Sequence, residues 1–406
     1  MKYSIKLSVS TFLILSSTAL FATNGDLMIG QGAKSVSMGG VGIAKSFGSD
    51  SGIANPALIS SVQHSEISAN VTVFMPDVKF GAFGFDKRSS TSDLSFIPEF
   101  SYVRNLNAWA IGVQASGVAG MGVDYDNTFN TANDNGSFNM QTELQLFKIA
   151  IPISYKLFKG LSIGVEPVIQ LGSLQMNYMK GNGEMSNNPK SSSTGLGFEI
   201  GAAYAYNGWT IGAVYKSEIE MSYANNISSA LNDFEIGSIA SGDTLTQPSE
   251  YGVGISYVYH HNTIAFDYKV ISWSSASGYS DFNWQDQSVF AIGYQHIFSK
   301  LALRVGYNYA QSPISEQNSA TYDGSALNYF NLVGFPGIVE QHITFGLGYD
   351  FSKALSLDAA FVYSPEVKES YDITAMSSAI GYPSPASADV THSQSSFTAG
   401  VTYKFY

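Results

Sequence analysis

From Gln394 to the C-terminal Tyr406 the chain alternates apolar and polar residues and closes on aromatics, and many earlier segments repeat that pattern. Successive side chains of a strand point to opposite faces, so period-two alternation commits a segment to a sheet with two unlike surroundings. Phe397, Ala399, Val401, Tyr403 and Phe405 fall on one face, and Thr398, Gly400, Thr402 and Lys404 on the other. In a transmembrane barrel the first set meets lipid and the second the lumen. A soluble sandwich alternates as well, so the rest of the chain has to choose between them.

The N-terminus narrows the choice. Met1-Lys-Tyr-Ser-Ile-Lys6 is basic, residues 7–20 are mostly apolar, and Ala19-Leu-Phe-Ala22 offers small residues at signal-peptidase spacing. Residues 1–22 read as a signal peptide, with Thr23 the first mature residue; the alternative, a membrane anchor, has too short an apolar run for the ~20 residues a bilayer requires. Charged residues are only 13% of the chain and aromatics 14%, yet no membrane-length apolar run follows the leader. That combination suits a barrel better than a soluble domain, in which about 25% of residues are charged. The absence of Cys excludes disulfide scaffolds and thiol chemistry, and a net charge of -12 argues against a nucleic-acid partner.

Strand-like segments occupy 65–85, 92–104, 108–126, 140–158, 161–180, 192–206, 209–223, 247–259, 263–275, 284–298, 301–313, 339–350, 354–371 and 392–405. The expected fold is therefore all-β: a transmembrane antiparallel β-barrel of about 14 strands over 65–406, preceded by a segment at 23–64 that packs inside the lumen. Short connections at 105–107, 159–160, 207–208, 260–262, 299–300 and 352–353 alternate with longer polar ones, as in outer-membrane barrels with tight periplasmic turns. An even count puts both termini in the periplasm. Lys148, Lys216, Lys269 and Arg304 belong to the lumen, because a cation facing mid-bilayer lipid costs about 2–4 kcal/mol. Pro152 and Pro167 mark bulges or strand ends.

Residues 23–64 are too few to bury a core of their own, but Leu27, Met28, Ile29, Val36, Met38, Val41 and Ile43 are too apolar for a disordered leader. At this point the residues resemble a family. Asn24-Gly-Asp-Leu-Met-Ile-Gly30 and its continuation to Ala44, followed by Asn55-Pro-Ala57, is similar to the N-terminal hatch of the FadL/TodX outer-membrane transporters of long-chain fatty acids and hydrocarbons. Phe266-Asp-Tyr-Lys-Val-Ile-Ser-Trp273, Leu303-Arg-Val-Gly-Tyr307 with its continuation to Pro313, and Ile343-Thr-Phe-Gly-Leu-Gly-Tyr-Asp-Phe351 extend the likeness along the mature chain.

The resemblance implies a fourteen-stranded barrel plugged by its hatch. It also implies passive uptake of a hydrophobic small molecule, a long-chain fatty acid first among the candidates, with sideways release into outer-membrane lipid at the third strand. There Gly117, Gly120 and Gly122 interrupt the alternation around Met121; they mark a lateral opening or merely ease strand twist. Leu27, Met28, Ile29, Asn55, Pro56 and Ala57 match the family's ligand-contacting hatch. Arg304, Lys148, Lys216 or Lys269 could hold a carboxylate, or could pair instead with Asp267, Glu166 or Glu199. Apolar residues in the loops (Ile227, Leu231, Phe234, Ile236, then Tyr329, Phe330, Leu332, Val333 and Phe335) form a greasy capture patch or pack the loops together. No catalytic residues, metal or cofactor are expected: the six His have no defensible spacing, and His260-His261 reads as a solvated turn. A surface adhesin or structural barrel is the competing function and a diffusion porin the third. Nothing fixes an oligomeric state, and a monomer is the default expectation.

Overall fold

The computed structural model describes residues 23–125, 140–180, 184–236 and 240–406; the expected signal peptide and Asp126, the anticipated end of the third strand, lie outside them. Fourteen strands form the wall: β1 Ser65–Ala82, β2 Ser95–Leu106, β3 Trp109–Asp124, β4 in two pieces (Met140–Ala150 and Ile153–Phe158), β5 Leu161–Tyr178, β6 Ser191–Tyr206, β7 Trp209–Lys216, β8 Glu250–Tyr259, β9 Asn262–Ile271, β10 Gln287–Phe298, β11 Leu301–Ala310, β12 Gln341–Asp350, β13 Leu355–Asp372 and β14 Ser387–Phe405. Every consecutive pair is antiparallel, and β14 closes on β1 from Phe405↔Ser65 to Ala388↔Ala82. Closure leaves no edge strand, as a sheet in lipid requires. Among the described residues no helix is long and apolar enough to cross a membrane.

The outer face is an exposed apolar belt, with Phe345, Leu347 and Tyr349 on β12 typical of it, whereas the alternate residues point inward and are buried or half-buried. Ring pairs gather at the end of the barrel that carries the short turns: Trp109 with Tyr155 at 4.5 Å, Trp209 with Tyr257 at 4.4 Å, and Tyr403 with Phe405 at 5.0 Å. Amphipathic rings settle at the boundary between hydrocarbon and water, so this row marks one edge of the belt. The barrel's first and last strand ends, Ser65 and Phe405, lie at that same short-turn end.

Several strands are shorter than their alternation predicts. β7 stops at Lys216 rather than 223, β9 at Ile271 rather than 275, and β11 at Ala310, before Pro313. The residues beyond are apolar, but Trp273, Tyr223 and Ile314 join a buried cluster formed by the loops instead of the ladder. β14, conversely, begins at Ser387. The fourth strand is interrupted at Ile151 and Pro152, and Pro167 of β5 sits opposite that break, where its missing N–H leaves no ladder carbonyl unserved; the Pro167 carbonyl accepts from Ile151 at 3.1 Å. Pro167 itself keeps its place opposite Phe198 of β6, so the interruption belongs to β4 alone.

Residues 23–64 fill the lumen. Inward glycines make this close approach feasible: a side chain at Gly293 or Gly306 would collide with Met38, and one at Gly164 with Pro56 and Ala57. The wall's carboxylates then satisfy the segment's backbone. Gly42 and Ile43 donate to Asp267 at 2.6 and 2.8 Å, Gly32 to Glu99 at 2.8 Å, and Ser49 to Glu66 at 2.7 Å. A segment with little helix or sheet of its own has orphan amides, and buried amides need partners. At the other end of the barrel, the loops with helices α1 Ile227–Asp233, α2 Tyr322–Gly334 and α3 Thr374–Ala379 pack into the apolar cluster, with Tyr329, Phe330, Leu332 and Val333 at 0–3% exposure.

Candidate hydrophobic-ligand site

Two cavities follow one another along the lumen. The deeper one encloses about 1230 Å³ of space, mouth included, and Leu27, Met28 and Ile29 line it beside Val118 of β3. Lys148, Lys216 and Lys269 line it too, but each is engaged: Lys148 with Glu199 at 2.5 Å, Lys269 with Glu250 at 2.9 Å, and Lys216 with the same Glu250 at 3.7 Å. Arg304 lies elsewhere, toward the short-turn end, donating to Asp358 at 2.8 Å and to Gln295 at 2.7 Å. Asp267, anticipated as a cation's partner, accepts amides of the N-terminal segment instead, and Glu166 stands directly opposite Glu199 with no hydrogen-bond partner among the described residues.

Asn55, Pro56 and Ala57 line neither cavity. The Asn55 side chain caps the 3-10 turn Pro56–Ser61 by accepting from Ala57 at 3.0 Å, and its amide donates to Ile43 at 2.8 Å and to Ala202 of the wall at 3.2 Å. This triplet fastens the segment to β5 and β6.

The second cavity, about 370 Å³ with its open mouth included, sits beneath the loops and is almost wholly apolar, lined by Met121, Met176, Phe282, Trp284, Phe330 and Phe335 among others. Phe282 stacks on Phe330 at 5.1 Å with an interplanar angle of 8°, forming a flat wall. This lining suits a small apolar ligand or a chain segment. Of the loop residues singled out in the sequence, Ile227, Phe330 and Phe335 reach it; Phe282, Trp284, Leu174 and Met176 were hidden because two sit in a polar-looking loop and two on a strand's inward face. Leu27 joins the two spaces, lining the deeper cavity while packing against the apolar cluster above.

Between the cavities the short antiparallel pair Thr23–Asn24 and Leu27–Met28 of the N-terminal segment is stitched to β3. The register of β3 against β4 slips between Gly117 and Ala119, so Val118 is an extra residue in a β-bulge. Leu27 pairs with Ala119, the Asp26 carbonyl accepts from Gly120 at 3.0 Å, and Gln31 bonds Gly117 and Ser116 at 3.3 and 3.0 Å. Outward exposure, evident at Ile111 and Val113, ends here: from Gly120 to Val123 both faces are buried. The distortion is centred on Val118. Gly120, Met121 and Gly122, expected to carry it, return to a regular ladder with Gln145, Leu144 and Glu143, although Met121 lines the upper cavity.

Asp26 is the hub of this junction. Its carboxylate accepts from the Tyr279 hydroxyl and, at 3.3 Å, from Gln247, tying segment, loop and bulged strand together. Burial pushes its pKa up to about 6 despite these two donors, which act in the opposite sense. Neighbouring Gly25 has φ +68 and rests under Trp273, where a β-carbon would come within 2.7 Å of the ring. Only glycine satisfies both demands.

A fourteen-stranded barrel of this kind has counterparts. Residues 28–405 match the family of outer membrane protein transport proteins designated OMPP1/FadL/TodX. The chain belongs to that family. Its fold is shared by the toluene transporter TodX of Pseudomonas putida (TM-score 0.69, 18% identity, 93% of this chain and 99% of that one) and by a FadL homologue of Pseudomonas aeruginosa (0.68, 15%, 94% and 100%). The toluene transporter TbuX of Ralstonia pickettii aligns at TM-score 0.63 with 19% identity, over 93% and 99% of the two chains. Outer membrane protein P1 of Haemophilus influenzae is 21% identical over 318 residues; the match spans 66% of each chain, about two thirds of that relative's length. As a FadL/TodX family member the protein is an outer-membrane β-barrel of the hydrophobic-compound transporters.

Proposed function

We propose that the chain takes up an apolar small molecule by capture in the loop cavity, passage beside Leu27, and sideways release at the Val118 bulge, with the short turns and both termini in the periplasm. The observation that carries this reading is the apolar lining of the upper cavity, joined through Leu27 and β3 to the space below. Burial of each methylene there contributes roughly 0.8 kcal/mol, enough to hold a hydrocarbon without an energy source. Among the described residues the upper lining contains no cation, and the four lumenal cations singled out in the sequence are all paired. The cavity thus fits a hydrocarbon or the tail of a long-chain fatty acid and takes no account of a carboxylate. The filled lumen and scarce free polar surface in the upper cavity favour this over a diffusion porin.

Displacement of a fluorescent apolar probe from the detergent-purified protein tests it. Laurate and methyl laurate should displace the probe with affinities within about threefold of each other, and Phe330→Ala should weaken both at least tenfold. Laurate tighter than its ester by more than tenfold would mean that a cation reads the headgroup, and unchanged affinity in Phe330→Ala would remove the cavity from the route.

A further inference from the structure

A third space, of about 530 Å³ with its open mouth included, lies at the short-turn end between the N-terminal segment and the wall, meeting the deeper cavity at Phe47. Lys34, Lys45, Arg304 and Lys404 line it, with Glu66, Gln295 and Phe47. The charge there does not balance. Asp358 serves two of the cations, Arg304 at 2.8 Å and Lys34 at 3.6 Å. Glu66 is already committed to the Ser49 amide, and its position is fixed by Gly48, where any side chain would strike the carboxylate. Among the described residues no carboxylate comes within ion-pair distance of Lys45 or Lys404; the Lys45 ammonium has only the Phe47 ring, 5.8 Å away. Four cations therefore face two carboxylates in a half-enclosed pocket.

Leaving a half-buried lysine without a partner is unfavourable, and the cations nearest it add repulsion. A bound oxyanion relieves both. We propose that this pocket is an anion site, taking one sulfate- or phosphate-like group between Lys45 and Lys404, with Lys34 and Arg304 behind them. Charge-assisted N–H···O bonds from two unpaired ammonium groups would supply the recognition. The chemistry is shared by a free inorganic anion and by the phosphate headgroup of a lipid, and the pocket's location at the rim of the barrel is compatible with either.

The site carries its own pH signature. Burial, then Arg304 and Lys34, lower the Lys45 pKa to about 8. The charged groups around it are Lys34 on its own segment, Arg304 and Asp358 on β11 and β13, Lys404 on β14 and Glu66 on β1. Lys45 is cationic below pH 8 and neutral above, so anion binding should weaken as pH rises from 7 to 9.

Isothermal titration of sulfate into the full-length detergent-purified protein, at ionic strength held constant with chloride, decides the matter. The wild type should bind sulfate saturably, K45Q at least tenfold more weakly and K404Q with intermediate affinity; the wild type and K404Q, which keep Lys45, should lose affinity between pH 7 and 9, and K45Q should not. Both variants should retain the heat-modifiable mobility of a folded barrel, and K404Q alone suffices if K45Q does not. Sulfate binding no better than chloride, or equal affinity in the wild type and the folded variants, overturns the proposal. Dihexanoyl phosphatidic acid binding tenfold tighter than inorganic phosphate assigns the site to a lipid headgroup; equal affinities assign it to a free anion.

Discussion

Asp26 gives the junction between segment and loops a dependence on pH whose sign runs against the usual behaviour of a carboxylate. It is fully buried, and its pKa rises from 3.8 to about 6 on folding. Below pH 3.8 folded and unfolded forms are both protonated and docking bears no penalty; through the interval from 3.8 to 6 the unfolded carboxyl ionises first; above 6 the whole penalty applies. Docking is therefore weakened as pH rises, by about 3 kcal/mol at most, since each pKa unit is 1.36 kcal/mol. Hydrogen exchange at the Gly120 amide, which bonds the Asp26 carbonyl at 3.0 Å, reads this equilibrium locally. Its protection factor, corrected for intrinsic rates, should fall on the order of 100-fold between pH 4 and 7 in the wild type and by less than about threefold in Asp26→Asn, a 1.4 kcal/mol change being tenfold. Equal pH dependence in the two proteins, or protection that grows toward pH 7, would refute the assignment.

Two other outcomes follow from the same geometry. Arg304→Ala should lower unfolding stability in lipid, by at most about 3–5 kcal/mol, because it leaves the buried Asp358 with Lys34 alone at 3.6 Å, whereas laurate binding at the upper cavity should be unchanged; urea titration beside probe displacement separates the two effects. An epitope inserted near Gly242 should be labelled on intact cells and one at Asn207-Gly208 should not, the reverse pattern inverting the proposed orientation.

The wall was legible in the sequence because lipid imposes a two-valued code: at Leu303, Val305 and Tyr307 against Ala302, Arg304 and Gly306, each residue's face follows from its neighbours. Strand ends were less so. Trp273 and Tyr223 are as apolar as wall residues but serve the loop core, and periodicity cannot separate a strand leaving the ladder from one continuing in it. The site was legible in part. Leu27, Met28 and Ile29 line the deeper cavity, while Asn55, Pro56 and Ala57 fasten the segment, because a short motif does not reveal which of its residues will meet the wall. The strand distortion was placed at glycines, yet it centres on Val118: a bulge is a mismatch between two strands, and the counting that creates it involves Phe147 and Leu146 as much as β3. Partners of the lumenal cations were hidden for the same reason, since the pairing of Arg304 with Asp358 depends on register across two strand boundaries.

The most direct test of the transport account is deletion of Val118, the single residue that sets β3 out of register. Without it Gly117 and Ala119 can pair with Phe147 and Leu146 in an unbroken ladder. Uptake of a radiolabelled hydrocarbon or fatty acid by cells lacking other transporters of this kind should be restored by the wild type. The deletion variant should reach the same surface level and displace the apolar probe normally, yet return uptake to within about twofold of the empty-vector background. Uptake at the wild-type rate, in a variant whose register is shown to be continuous, would contradict release through the wall.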